Sequence, residues 1–375
     1  MKPAVPGVVE LVDAILHRAA AARASDVHFE PGLDAMRVRF RVDSLLTDAE
    51  IVPAAIAAGV VARLKVLARL LTYRTDIAQD GAIPAAASGV PCDIRVATFP
   101  TIRGERVVLR LMAAADRLLE LDQLGHSDAI VATLIAELAR PQGFLLVCGP
   151  AGSGKTTTLY AMLAHLRRMR PDASIIAIED PVEIRCDGIT QVQIDPPRGL
   201  TYPAALRSLL RQDPQILLIG EIRDSEVASI VTEAALTGHL LLASMHAGSA
   251  PEAILRLLEM GIPAYQVTST LCGVLNQRLV RRRASLADGG GPIAAPQYSG
   301  RVAVGEWVQL SPLLRRAIID GGDLDALRAA SGATGGLATD AQRLIDAGLS
   351  DEAEINRALG AIGPGYDSHT NAKAG

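Results

Sequence analysis

Eight consecutive residues, Gly149-Pro150-Ala151-Gly152-Ser153-Gly154-Lys155-Thr156, match the spacing G-x-x-x-x-G-K-[ST]. The chemistry this spacing serves is the holding of a polyphosphate. Glycines at 149, 152 and 154 let the backbone curl until its N–H groups point inward, with no Cβ shielding them from a phosphate oxygen. Lys155 would reach the β- and γ-phosphates of a nucleoside triphosphate, and the Thr156 hydroxyl would ligate Mg²⁺. Thr157 follows in the first turn of a helix whose positive N-terminal end adds to the same field. The alternative is a glycine-rich turn that binds nothing. An apolar strand before the loop and a helix after it favour the nucleotide.

Other side chains of suitable chemistry recur at the ends of apolar runs. Glu179, with Asp180 and Glu183 behind it, follows residues 174–178, and Glu221 follows residues 215–220. Carboxylates at the strand ends of an α/β sheet stand where ligands bind, although a charged strand exit is a common alternative. A phosphate-loop protein ordinarily carries an Asp at such a strand end to hold Mg²⁺. Here that place is Gly220, and Glu221 comes next. Glu221 can hold or orient a water, and Glu179 can share the task. His239 and His246 bracket residues 240–245, face opposite sides of an extended chain and stand too far apart to chelate one metal. His246, at the end of the run, is the candidate for sensing a phosphate.

Two pairs of arginines complete the set. Arg207 and Arg211 are spaced to share one face of a helix that must stop before Pro214. Arg95 and Arg110 lie on the runs 93–99 and 106–111, joined by Pro-Thr-Ile-Arg-Gly-Glu. If Phe99 faces Arg106 across a hairpin, Arg95 faces Arg110. Opposed guanidinium groups repel unless an anion lies near them; the alternative is two solvated surface arginines.

The elements that must position these groups follow from periodicity. Residues 1–112 read as a small α/β domain: a helix over 8–24, strands over 25–31 and 37–43, a helix over 59–71, a turn at Asp80-Gly81, then the hairpin. Residues 113–123 read as a linker. A phosphate-loop domain over 124–284 alternates strands (144–148, 174–178, 215–220, 240–245) with helices, the last two over 249–262 and 265–283. A loop over 284–297, a short strand over 300–308 and three small capped helices make a C-terminal helical part over 285–362. The tail, 363–375, has nothing to bury.

Composition excludes several classes. At 375 residues there is room for two or three domains with buried cores. The 49% hydrophobic content contains no run of membrane-spanning length, so a soluble, cytoplasmic protein is expected. A net charge of −4 argues against nucleic acid as a partner. The cysteines, Cys92, Cys148, Cys186 and Cys272, are dispersed and suggest neither a zinc cage nor disulfides.

In combination the motifs resemble the hexameric ATPases of type II secretion and type IV pilus assembly, over about residues 8–360. The segments that carry the likeness are SDVHFEP, GERVVLRL, GPAGSGKTTT, IEDPVE (similar to the family's Asp box), RQDPQILLIGEIRD (its Walker B strand), TGHLLLASMHA (its His box) and NQRLVRR. The resemblance implies an N-terminal PAS-like α+β domain followed by a RecA-type ATPase domain, assembled as a homohexamer. It implies that Lys155 and Thr156 serve the nucleotide, that Glu221 activates or positions water, and that Glu179 stands near Mg²⁺. It gives His246 the distal place in the His box and Arg207 with Arg211 the pair before the Walker B strand. Arg95 and Arg110 match arginines that approach the γ-phosphate when the lobes close. The implied partner is an inner-membrane platform protein, with peripheral membrane association through it.

The chain departs from the pattern in three places. The family's usual four-cysteine zinc loop is replaced by RRRASLADGGGP, so no zinc is expected. Ala78 and Ala82 replace a Pro and an Arg in the turn around Asp80. The chain also starts almost directly at the PAS-like domain, leaving its mode of docking open. The expected function is a Mg²⁺-dependent ATPase motor of secretion or pilus assembly. The alternatives are a nucleic-acid translocase, whose best support is Arg281-Arg282-Arg283, and a nucleotide-binding scaffold without turnover.

Overall fold

The computed structural model describes residues 7–112, 118–284, 297–332 and 336–360. It divides into two compact units, Met1–Arg117 and Leu118–Gly375. The first contains α1 (Val8–Ala21), β1 (Asp26–Pro31), β2 (Ala35–Val42), β3 (Leu45–Pro53), α2 (Ala54–Leu67), β4 (Gln79–Ile83), α3 (Ala85–Ser88), β5 (Asp93–Thr101) and β6 (Gly104–Met112). Its antiparallel sheet runs β3-β2-β1-β6-β5-β4. Along β5, Ile94 and Val96 turn inward while Asp93, Arg95 and Ala97 face out, the period-two signature of a sheet covered on one side. The cover is α1 and α2, whose Val12, Ile15, Leu16, Val60 and Leu64 join Phe29, Val38 and Leu109 in one core. Each of these fully buried side chains contributes roughly 2 kcal/mol of transfer free energy.

The hairpin register is the anticipated one: Phe99 pairs with Arg106, and Arg95 with Arg110. The turn expected at Asp80-Gly81 is instead part of β4, with Gly81 opposite Val96. Pairing with β5 outweighs the local turn preference. Glycine is needed there because a Cβ would lie 2.8 Å from the Ala68 carbonyl oxygen. A cavity of about 640 Å³ opens between α2 and the β1–β2 turn, above the buried ion pair of Lys65 and Glu105.

The second unit contains α4 (Asp128–Leu138), β7 (Gly143–Cys148), α5 (Lys155–Met169), β8 (Ile175–Glu179), β9 (Thr190–Gln193), α6 (Tyr202–Leu209), β10 (Ile216–Ile219), α7 (Ser225–Leu236) and β11 (Leu240–Met245). These are followed by α8 (Ala250–Glu259), α9 (Ala264–Thr270), β12 (Leu271–Arg283), β13 (Tyr298–Gln309), α10 (Pro312–Ile319), α11 (Leu324–Ser331), α12 (Leu337–Asp346) and α13 (Glu352–Leu359). The sheet order is β13-β12-β7-β11-β10-β8-β9, parallel except for the β12–β13 pair. Strands β7, β8, β10 and β11 are buried along their whole length, as parallel strands covered on both faces must be. One cover includes α4 and α5 and the other α6, α7, α8 and α10.

Residues 271–283, expected to continue a helix, form the thirteen-residue strand β12. Leu275 and Leu279 are four residues apart, which fits a helix face, and an even spacing fits one strand face equally well. Packing between β7 and β13 decides for the strand. The short strand expected over 300–308 forms as β13, which joins the sheet beside β12, and α11 is an additional helix. The C-terminal tail, residues 113–117 of the linker and residues 285–296, where a zinc loop would sit, lie outside the described residues. Among the described residues no helix is long and apolar enough to cross a membrane.

Candidate active site

Parallel register brings the chemistry to one edge. Met245 pairs with Cys148, Ile219 with Ala243, and Ile219 with Ile178. The residues that follow these strand ends, Gly149, His246, Glu221 and Glu179, therefore line up along the carboxyl edge of β7, β11, β10 and β8. That edge is where open α/β sheets bind ligands.

The loop between β7 and α5 has φ of +153°, +74° and +87° at Gly149, Gly152 and Gly154, backbone that L-residues resist. A Cβ at Gly149 would lie 2.5 Å from both the Gln277 carbonyl oxygen and Ser153 Oγ, so shape and torsion both demand glycine. Pro150, Ala151 and Gly152 form an exposed crown. Ser153 is buried (3% exposed), yet its Oγ has no partner among the described residues. An orphaned hydroxyl inside a loop of inward-curling backbone fits a polyphosphate oxygen.

Lys155, also buried, donates from Nζ to the carbonyls of Gly149 (2.9 Å) and Pro150 (3.1 Å) and contacts His246 Nδ1 at 3.3 Å. Burial lowers its proton affinity, and the Glu221 carboxylate opposes that shift. His246 Nε2 reaches Glu221 at 2.8 Å, and Arg223 donates to the other Glu221 oxygen at 2.7 Å. Lys155, His246, Glu221 and Arg223 thus form one connected chain of polar contacts. His239, at the opposite end of β11, contacts the Ala234 carbonyl at 2.8 Å and takes no part.

Glu179 differs in kind. It is 3% exposed, accepts from the Tyr160 hydroxyl at 2.6 Å and from Gln191 Nε2 at 3.3 Å. Burial pushes its carboxyl above the usual range, against the pull of those two hydrogen bonds. Tyr160 was legible in principle: it lies four residues after Thr156 on α5, hence on the same face. Gln191 on β9 carries no such sequence signal.

The arginines divide. Arg207 pairs with Glu226 at 2.7 Å, and Arg211, just beyond the end of α6, donates to the Arg207 carbonyl. Their partners therefore lie on α6 and α7 rather than on the phosphate loop. In the N-terminal unit Asp26 accepts from Arg110 (3.1 Å) and also approaches Arg41 (3.4 Å). Asp26 is thus the anion beside the arginine pair, while Arg95 forms no ion pair among the described residues. All four cysteines are buried and free.

Thr156, Glu179 and Glu221 offer hydroxyl and carboxylate oxygens, the hard donors that Mg²⁺ prefers. Fold and site together define an α/β phosphate-loop protein of RecA type preceded by an N-terminal α+β domain.

The chain belongs to the Type II/IV secretion system protein family, which matches residues 5–357. It is 42% identical to the type II secretion system protein HxcR of Pseudomonas aeruginosa over 365 residues, 93% of this chain and 77% of that protein. It is 45% identical to the type IV pilus assembly ATPase PilB of Myxococcus xanthus over 276 residues, 73% of this chain and 48% of that protein. The ATPase DotB of Legionella pneumophila superposes with a TM-score of 0.70 at 21% identity, covering 95% of this chain and 97% of that one, a likeness of fold.

Proposed function

We propose that this protein is an ATP-hydrolysing motor subunit of type II secretion or type IV pilus assembly. The observation that carries it is the convergence at one sheet edge of the phosphate loop, His246 and two glutamates in contrasting environments. A nucleotide-binding scaffold would need the loop but not the two acids.

The loop amides, Lys155 and the α5 N-terminus bind and orient the triphosphate. Thr156, with Glu179 or Glu221, would hold Mg²⁺, which would supply charge neutralisation. Phosphoryl transfer to water then depends on positioning and on accepting one proton. A carboxylate with raised proton affinity is the better base, which favours Glu179 for the proton. Glu221, tied to Arg223 and His246, orients water or reports the state of the γ-phosphate. Arg95 and Arg110, by the family resemblance, would act as removable cations for the γ-phosphate. The working assembly is a homohexamer in the cytoplasm, acting on an inner-membrane platform protein, without nucleic acid and without zinc.

The test is phosphate release with Mg²⁺-ATP by wild type and Lys155→Ala. Loss of the cation at the developing phosphate charge should lower turnover on the order of a hundredfold. Equal rates would exclude the enzyme.

A further inference from the structure

The Asn276-Gln277-Arg278-Leu279 run of β12 has no role in the mechanism above, yet it passes directly beneath the phosphate loop. β12 runs parallel to β7 with Asn276 opposite Cys148, so Gln277 falls beside Gly149, where the loop begins. Gln277 is wholly buried between Leu275 and Leu279 on its own strand face. A buried amide without partners is costly, and both of its polar ends are in fact satisfied from outside its sheet. Nε2 donates to the Ser153 carbonyl at 2.7 Å, and Oε1 accepts from the Thr158 hydroxyl at 2.9 Å. Since a carbonyl can only accept, Ser153 settles which end of the amide faces it.

We propose that Gln277 is a positioning residue for nucleotide binding, holding the peptide that joins Ser153 to Gly154 in the orientation that presents the Gly154 N–H to phosphate. The proposal rests on the assignment of the loop as a nucleotide site. In a trans peptide the C=O and the following N–H point in opposite directions. With the Ser153 carbonyl drawn toward β12, the Gly154 N–H is turned away from it; in a phosphate loop that is the side on which amides cradle the anion. Thr158, 1% exposed in the first turn of α5, pins the other end of the amide, so one side chain ties the loop to the helix that follows. The approach is close at both ends. A Cβ at Gly154 would stand 3.1 Å from Gln277 Nε2, and one at Gly149 would stand 2.5 Å from the Gln277 carbonyl. Leucine would leave the Ser153 carbonyl unpaired, and glutamate would set one acceptor against another.

The experiment uses the full chain with Gln277→Leu and Thr158→Val. Binding of a fluorescent ATP analogue, steady-state KM and kcat for ATP, and thermal melting without nucleotide are measured side by side. Gln277→Leu should bind about tenfold more weakly, the effect of one buried carbonyl losing its donor. KM should rise in step while kcat stays within about threefold, because a cradle amide touches phosphate in ground and transition states alike. Thr158→Val should weaken binding about threefold, since the amide then keeps only its Ser153 anchor. A residue that merely packs would lower the melting temperature and leave the affinity of the folded protein unchanged. Wild type that binds, with both variants within about twofold of it, overturns the proposal. If Gln277→Leu does not fold, Thr158→Val decides by the same comparison. Failure of wild type itself to bind would instead remove the nucleotide-site assignment.

Discussion

Replacing Glu179 by Gln separates its chemistry from its place in the core. The carboxylate is 3% exposed, and its partners are the Tyr160 hydroxyl at 2.6 Å and the Gln191 amide at 3.3 Å. An amide of the same shape can be satisfied there. Its carbonyl faces Gln191 and its NH₂ faces Tyr160, whose hydroxyl turns to donate to the Ile184 carbonyl, already 3.0 Å away. Burial raises the folded-state proton affinity of Glu179, so its favourable contribution is complete below the ordinary carboxylate range and is lost as pH rises through the shifted value. At neutral pH the ionised carboxylate is therefore a cost, and Glu179→Gln should melt no lower than wild type. That advantage should fade on acidification, where wild type is protonated too. Hydrolysis should behave oppositely. Loss of a general base costs about a hundredfold to ten-thousandfold. The wild-type rate should climb as pH rises through the raised Glu179 value, and that acid limb should vanish in Glu179→Gln but survive in Glu221→Gln. The assay is phosphate release with Mg²⁺-ATP from mildly acidic to neutral pH, beside thermal melting and nucleotide binding. If Glu179→Gln stays within several-fold of wild type, or Glu221→Gln is the variant that loses the limb, the division between the two acids is wrong.

If the N-terminal unit completes the site, Arg95→Ala should lower turnover at least tenfold with nucleotide affinity little changed, as expected of a removable cation. Arg110→Ala should cost less, because Asp26 already holds part of that charge; near wild-type turnover in both variants would rule out the contribution. In the loop, Gly152→Ala meets nothing within 4 Å and should lose only about 1–2 kcal/mol for its left-handed torsion. Gly149→Ala adds contacts of 2.5 Å to a torsion only glycine accepts, and should lose about 3 kcal/mol or more in denaturant titration without nucleotide. Equal losses would refute the steric account.

Features specified within a few residues were readable from the sequence. The phosphate loop, the strand ends that carry Glu179, Glu221 and His246, and the Arg95–Arg110 register all follow from short counted spacings. Elements decided by a neighbour were not. Asp80-Gly81 has turn chemistry, but β5 offers β4 a free edge, and pairing wins. Leu275 and Leu279 fit helix and strand alike, and only the groove between β7 and β13 distinguishes the two. Helical spacing for Arg207 and Arg211 overran the true end of α6 at Leu209 and missed the competing carboxylate of Glu226.

The two glutamates show why residue type alone could not assign the site's roles. Each follows a buried strand at the same sheet edge, and in sequence each is simply an acid at a strand exit. Glu221 has the Arg223 guanidinium two residues on to match its charge and contacts His246 from the adjacent strand. Glu179 has a phenol from α5 and an amide from β9, neutral donors that hold a carboxylate without neutralising it. Glu221, held by charged partners, is suited to act as a tether, while burial raises the proton affinity of Glu179. Gln277, 124 residues from the carbonyl it holds, extends the same logic from charge to backbone orientation. In each case the type of side chain states what it is able to do, and partners distant in sequence select which of those things it does.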